Sequence, residues 1–204
     1  MAKKAVKKVL KKSATKVAQK STKKSVKKLT KKPAAKTAAK AGASVASVGE
    51  AKSLLGKPAP SVSVVGTGGG PTSLLNFKGK KVVLYFYPKD NTPGCTREGY
   101  DFKRLARDFA AAETVILGVS KDSLKTHENF KQKCGFPFDL LVDDEEKLCR
   151  AFDVIQMKSL YGRQYLGIER STFVIDEKGV VRHEWRKVKV NGHAEEVLDF
   201  VRKI

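Results

Sequence analysis

The chain has 204 residues, of which 41% are hydrophobic, and it carries a formal net charge of +21 at pH 7. This length suits one domain of ordinary size, or one domain with a tail. The charge excludes a uniformly basic compact fold, because so many like charges would repel one another. No run approaches the roughly 18 consecutive apolar residues of a membrane span, so we expect no membrane partner.

The positive charge is concentrated at the N-terminus. Residues 1–40 contain 16 lysines, no arginine and no acid; 42 − 16 leaves 26 basic residues against 21 acids, so the remainder carries about +5. A segment with so few side chains to bury and so much like charge does not offset its own chain entropy. The sequence therefore predicts a disordered lysine-rich tail over residues 1–42, a linker over 43–54 and a folded domain over 55–204.

Lysine pairs recur along the tail and are candidate nucleic-acid contacts. The pairs are formed by Lys3, Lys4, Lys7, Lys8, Lys11, Lys12, Lys23, Lys24, Lys27, Lys28, Lys31 and Lys32. Such lysines displace counterions from DNA or RNA and bind without sequence preference. The composition resembles the tails of linker-histone-like proteins. The alternative is a solvated tail with no dedicated partner.

The domain begins with a predicted β-hairpin and continues as alternating strands and helices. The arms Ser61–Val65 and Ser73–Leu75 flank a glycine-rich turn, and the apolar run Lys81–Tyr87 predicts a buried central strand. Further strands are predicted over Thr114–Val119, Phe138–Val142, Ser171–Ile175 and Val180–Val188. Helices are predicted from Cys95 to Ala111, from the Asp122–Ser123 cap to Lys133, within Asp143–Phe152 and from His193 to Lys203. This order predicts an α/β fold with helices on both faces of the sheet and the hairpin at its edge.

The cysteines carry the chemistry that the sequence predicts. Cys95, Cys134 and Cys149 are too few, and odd in number, for a disulfide framework, and they fit a reducing compartment. Cys95 falls in the first turn of a helix, where the partial positive charge and free N–H groups favour the thiolate. A thiolate is the nucleophile that can attack an O–O bond. Thr92 offers a hydroxyl three residues earlier, and Pro88 can shield the thiolate from water.

The spacing of these residues resembles a known family. Pro88-x-x-x-Thr92-x-x-Cys95 matches the peroxiredoxin signature, and the surrounding YFYPKDNTPGCTREGYDF is similar to the bacterioferritin-comigratory, or peroxiredoxin Q, subfamily. The similarity continues through residues 118–123, 127–130 and 167–176. It implies a thioredoxin fold of the peroxiredoxin type with an N-terminal hairpin. It also implies that Cys95 is the peroxidatic cysteine, that Thr92 and Pro88 are its pocket partners, and that Arg170 is the active-site arginine.

Reduction of the oxidised cysteine is where the chain departs from this subfamily. Many peroxiredoxin Q proteins carry a resolving cysteine five residues after the peroxidatic one, whereas Tyr100 stands there in this chain. Cys134 and Cys149 are the remaining internal candidates, and each has the alternative of being a small core residue. Direct reduction by an external thiol is the leading single expectation. Thioredoxin, glutaredoxin or a low-molecular-weight thiol would serve.

The histidines do not suggest a metal site. His127, His183 and His193 are scattered and form no pair with metal-ligand spacing, so we predict neither a metal nor a cofactor.

We expect a thioredoxin-dependent peroxidase that reduces hydrogen peroxide and organic hydroperoxides and is held near DNA by its tail. The alternative is a nucleic-acid-associated protein whose thiol domain acts mainly as a redox sensor. The resemblance implies a monomer in a bacterial cytoplasm, and the lysine-rich tail indicates a place near the nucleoid, with a nucleus as the second choice.

Overall fold

The computed structural model describes residues 52–160 and 162–204. The predicted tail, its candidate lysines and linker residues 43–51 therefore lie outside the described residues. Within the described ranges, no helix is long and apolar enough to cross a membrane.

Nine strands and five α-helices make up this part of the chain. The strands are β1 (Val64–Gly66), β2 (Pro71–Thr72), β3 (Lys81–Phe86), β4 (Thr114–Ser120), β5 (Asp139–Val142), β6 (Ile155–Leu160), β7 (Arg163–Ile168), β8 (Ser171–Ile175) and β9 (Val181–Trp185). The helices are α1 (Pro93–Arg104), α2 (Ala106–Ala111), α3 (Leu124–Cys134), α4 (Lys147–Ala151) and α5 (His193–Val201), with a short 3-10 helix over Leu74–Phe77.

Seven of the strands form one mixed sheet in the order β2-β1-β5-β4-β3-β8-β9. The central strand β3 runs parallel to β4 and antiparallel to β8. The β1–β2 hairpin lies at the edge, where β1 pairs with β5. Strands β6 and β7 pair with each other as a separate two-stranded arm. The predicted α/β architecture with an edge hairpin is confirmed.

Two apolar layers cover the sheet, which explains why all six residues of β3 are buried. One layer receives side chains from β3 together with α1, α2, α3 and α5, among them Tyr85, Phe102, Phe109, Phe130 and Val197. The opposite layer receives the alternate side chains of β3 together with α4 and its flanks, among them Leu84, Phe86, Leu148, Phe152 and Val154. Helical residues therefore pack on both faces, as the sequence predicts.

Three elements differ from the prediction. Ser73–Leu75 is not a strand: Ser73 caps the 3-10 helix, and its side chain accepts a hydrogen bond from the Leu75 backbone N–H. The second arm of the hairpin is the shorter β2. The single helix expected from Cys95 to Ala111 begins at Pro93, a residue suited to a first helical turn, and is interrupted at Leu105. The β6–β7 arm was not predicted.

Candidate active site

Cys95 lies in the first turn of α1 and is buried, with 2% of its surface exposed. Strand β3 ends just before a short loop, and Thr92 then occupies the N-cap position of α1 in an extended backbone conformation. Pro93 takes the first helical position, where its missing N–H leaves no hydrogen bond unmade. The sequence therefore starts the helix so that the thiol comes close to the N-terminal end of its dipole.

Arg170 brings a positive charge to this thiol. It lies between β7 and β8, and its Nη2 donates to Cys95 Sγ at 3.2 Å. Its Nη1 donates to the carboxylate of Glu98. The backbone carbonyl of Arg170 accepts from Val188 N–H at 2.9 Å, which ties this segment to the stretch after β9. The structure thus brings together the predicted cysteine and the predicted arginine.

Glu98 is the site residue that sequence reasoning missed. It lies three residues after Cys95, so both side chains share one face of α1. Burial raises the pKa of Glu98 to about 7, and the neighbouring Arg170 only partly opposes this rise. Its Oε1 has no hydrogen-bond partner among the described residues. An acid at helical spacing from the cysteine was the available signal, but its burial is not visible in the sequence.

Thr92 and Pro88 lie on the loop that leads to Cys95. The Thr92 hydroxyl donates to the Lys89 carbonyl at 2.9 Å and is thus engaged within the loop. Pro88 directly follows buried Tyr87 and is itself exposed. The structure therefore places both residues beside the N-terminus of α1, with the Thr92 hydroxyl bonded to the loop instead of to the thiol.

A second cation, Lys158 of β6, belongs to the surroundings of the site. Burial is the largest cause that lowers the pKa of Lys158, and the positive charge of Arg170 lowers this pKa further. The interaction with Cys95 opposes the change. The β6–β7 arm thus places an ammonium group within electrostatic range of both residues. Because the arm was not predicted, neither was this residue.

The other two cysteines lie on opposite sides of the sheet. Cys134, at the end of α3, belongs to the same core layer as Cys95. Its thiol interacts with the Tyr100 hydroxyl, which raises the pKa of Tyr100. Cys149 belongs to the other layer, and burial, with the carboxylate of Asp143, raises the pKa of its thiol well above the ordinary value. All three thiols are free.

Comparison with known proteins agrees with this geometry. The profile of the AhpC/TSA family matches residues 55–184. Peroxiredoxin Bcp of Bacillus subtilis is 52% identical over 144 residues, which cover 71% of this chain and 92% of the relative. Peroxiredoxin Bcp of Xanthomonas campestris is 57% identical over 132 residues, which cover 65% of this chain and 82% of the relative.

Solved structures lead to the same family. A structure of Xanthomonas campestris peroxiredoxin Q matches with a TM-score of 0.67 at 53% identity, over 70% of this chain and 90% of that chain. A structure of bacterioferritin comigratory protein from the same organism, described for its alkyl peroxide reduction activity, matches with a TM-score of 0.67 at 52% identity, over the same shares of the two chains. The chain therefore belongs to the AhpC/TSA family, in its Bcp/peroxiredoxin Q group of thiol-dependent peroxidases.

Proposed function

We propose that Cys95 is the thiol that attacks the hydroperoxide, and that hydrogen peroxide and organic hydroperoxides are the substrates. The observation that carries this proposal is the 3.2 Å contact between Arg170 Nη2 and Cys95 Sγ at the start of α1. A cation and a helix N-terminus both favour the thiolate. The Xanthomonas relative described for alkyl peroxide reduction supports organic hydroperoxides as substrates.

The reaction needs one nucleophilic displacement. The Cys95 thiolate attacks the terminal oxygen of the hydroperoxide, a sulfur–oxygen bond forms, and the O–O bond breaks. The sulfur is oxidised to a sulfenic acid, and the other oxygen leaves as an alkoxide or hydroxide that takes up a proton. Arg170 is positioned to stabilise the charge that develops on the oxygens, since its guanidinium already contacts the sulfur.

Pro88 and Thr92 complete the proposed pocket. Thr92 occupies the N-cap position of the helix that carries the thiol, and its hydroxyl oxygen keeps acceptor capacity while its proton is donated to the Lys89 carbonyl. Pro88 offers no N–H and presents an apolar ring near the loop. We propose that the hydroxyl orients the hydroperoxide and that the ring limits access of water.

A thiol must then reduce the sulfenic acid, and we propose thioredoxin or another external thiol as the final reductant. Of the two internal candidates, Cys134 is the better supported, because it shares a core layer with Cys95. Cys149 lies across the sheet, and its raised pKa disfavours the thiolate needed for exchange. If an internal disulfide forms, it joins Cys95 to Cys134.

Peroxide turnover and mass spectrometry test these roles. We expect Cys95→Ser to abolish thiol-dependent peroxide turnover, while Cys149→Ser leaves it unchanged. After one equivalent of peroxide, a Cys95–Cys134 linked peptide would establish internal resolution, and a stable Cys95 sulfenic acid would establish direct reduction. Full turnover by Cys95→Ser would overturn the proposal.

A further inference from the structure

A buried polar cluster contacts the loop between β3 and α1, and no step of the proposed reaction uses it. Asp90 and His127 are both buried, with 4% and 0% of their surfaces exposed. The Tyr87 hydroxyl donates to Asp90 Oδ1 at 2.7 Å. His127 Nδ1 lies 2.8 Å from Asp90 Oδ2, and His127 Nε2 lies 3.2 Å from the Leu141 carbonyl oxygen.

The hydrogen-bond partners fix the orientation of the His127 ring. The Leu141 carbonyl can only accept, so Nε2 carries a proton. Asp90 accepts from Tyr87 on one oxygen and faces Nδ1 with the other. Both ring nitrogens are therefore engaged, Nε2 with the backbone of β5 and Nδ1 with Asp90, so the ring links β5 to the loop before α1.

The cluster also holds the backbone of the loop. The carboxylate of Asp122, from the turn between β4 and α3, accepts the Asp90 backbone N–H at 2.9 Å and the Ser120 hydroxyl at 2.8 Å. Asn91 adopts a left-handed conformation with φ 58°, and its side-chain oxygen accepts from Lys133 Nζ at 3.3 Å. Helix α3 thus contacts two successive residues of the loop.

We propose that Asp90 and His127 form a positioning pair that holds this loop, and with it Thr92 and the first turn of α1, in the geometry in which Cys95 receives a hydroperoxide. Asp90 lies two residues before Thr92 and five before Cys95. Small displacements at a reacting centre lower rates strongly. This inference rests on the proposed role of Cys95, and neither member of the pair touches the reacting atoms.

The test compares two reactions of the same thiol. We expect His127→Gln and Asp90→Asn each to lower the second-order rate constant of Cys95 with hydrogen peroxide by about tenfold. Alkylation of Cys95 by iodoacetamide, measured on its peptide by mass spectrometry, needs the thiolate but no alignment of an O–O bond, so its rate constant should change by less than about twofold. His183→Gln, in β9, is the matched control and should change neither rate constant.

Two further readouts separate positioning from loss of stability. Because the two residues act as a unit, the double variant should react with peroxide about as fast as the slower single variant. If the other variants fail to fold, Tyr87→Phe provides the test, because it removes one hydroxyl and keeps the ring. It should lower the peroxide rate constant roughly threefold.

Each unexpected result has a defined meaning. Equal losses in the peroxide and alkylation rate constants, or additive losses in the double variant, would overturn the positioning pair. A wild-type Cys95 that does not react with peroxide would instead overturn the proposed function.

Discussion

Arg170 is the residue on which the candidate site converges, because its guanidinium contacts both the Cys95 thiol and the Glu98 carboxylate. Burial lowers the pKa of Arg170, but the interactions with Glu98 and Cys95 outweigh burial, so the pKa is raised. A guanidinium is planar and carries its donors in a fixed fork, whereas a lysine ammonium is a point charge on a flexible stem. The site therefore depends on the shape of this cation as well as on its charge.

Arg170→Lys should consequently lower the rate constant of Cys95 with hydrogen peroxide by about 100-fold, although the formal charge is unchanged. The ammonium cannot reach the sulfur and the carboxylate in the same geometry. Stopped-flow peroxide consumption measures the effect. Arg97→Lys is the control, since Arg97 lies in the same helix as the thiol but is exposed and pairs with Asp101. Equal rate constants for wild type and Arg170→Lys would contradict the prediction.

Because the pKa of Glu98 is raised on folding, we expect the free energy of unfolding to depend on pH. Its pKa is about 7 in the folded protein and 4.5 in its ordinary state. The folded state therefore binds this proton more tightly, and the stabilising contribution is complete below pH 4.5 and lost as pH rises through 7. The loss amounts to about 3 kcal/mol. Glu98→Gln cannot titrate, so its stability relative to wild type should increase by this amount between pH 4.5 and pH 8, as measured by urea unfolding.

The comparison with Glu98→Gln is needed because another buried group titrates in the same range. Burial lowers the pKa of His193 to about 4. Its contribution to stability is therefore present above pH 6.5 and is lost as pH falls toward 4. The two residues oppose each other in wild-type protein, and the difference between the two chains isolates Glu98. A difference that stays constant with pH would show that Glu98 titrates normally.

At the scale of elements, α1 is fitted closely to the segment after α3. A Cβ at Gly99 would overlap Phe136 Cζ and would lie 2.9 Å from Phe136 Cε1. The Phe136 ring is held by Phe138, with centroids 5.2 Å apart, and by Phe130, with centroids 5.1 Å apart. The ring has little room to move away, so the helix that carries Cys95 approaches its neighbour through a residue without a side chain.

Gly99→Ala should therefore destabilise the protein even though alanine is the better helix former. Helix propensity gains about 1 kcal/mol, whereas forcing an extra methyl into a packed core costs about 1–3 kcal/mol. We expect a net loss of about 1 kcal/mol in urea unfolding. Adding Phe136→Leu, which shortens the opposing side chain, should make the combined loss smaller than the sum of the single losses. A stabilised Gly99→Ala variant would contradict this packing.

The elements also show how far sequence patterns reach. The apolar run of β3 and the motif around Cys95 are local signals: the central strand ends one residue before its predicted end, and α1 begins two residues before its predicted start. The β6–β7 arm was missed because its strands pair only with each other and carry polar residues such as Gln156, Lys158 and Gln164. Glu98 was missed for a related reason. It pairs with Arg170, which is far away in the sequence, so local spacing does not reveal the contact.

The whole molecule divides its charge unevenly, and this division can be tested separately from the chemistry. Residues 1–42 hold 16 of the 42 basic residues and no acid. The candidate site residues Thr92, Cys95 and Arg170 all lie in the described domain. Peroxide chemistry and nucleic-acid association are therefore expected to depend on different parts of the chain.

Removing residues 1–42 lowers the formal net charge from +21 to about +5. If the lysines bind phosphates, the affinity of the full chain for a labelled DNA duplex should fall steeply as the salt concentration rises. The slope of log affinity against log salt concentration should become steeper by about 0.9 for each phosphate neutralised. The shortened chain should lose about 100-fold in affinity at low salt and show a shallow slope. Fluorescence anisotropy across a salt series measures both quantities.

A full chain with residues 1–42 in shuffled order is the matched control, because binding through charge alone does not depend on their sequence. It should bind as the natural chain does. The peroxide rate constant of the shortened chain should stay within about twofold of wild type, since Cys95 and the Arg170 that contacts it both remain. Unchanged DNA affinity after truncation would show that the lysine-rich segment does not carry the binding, and a lost peroxide rate would show that the two parts are not independent.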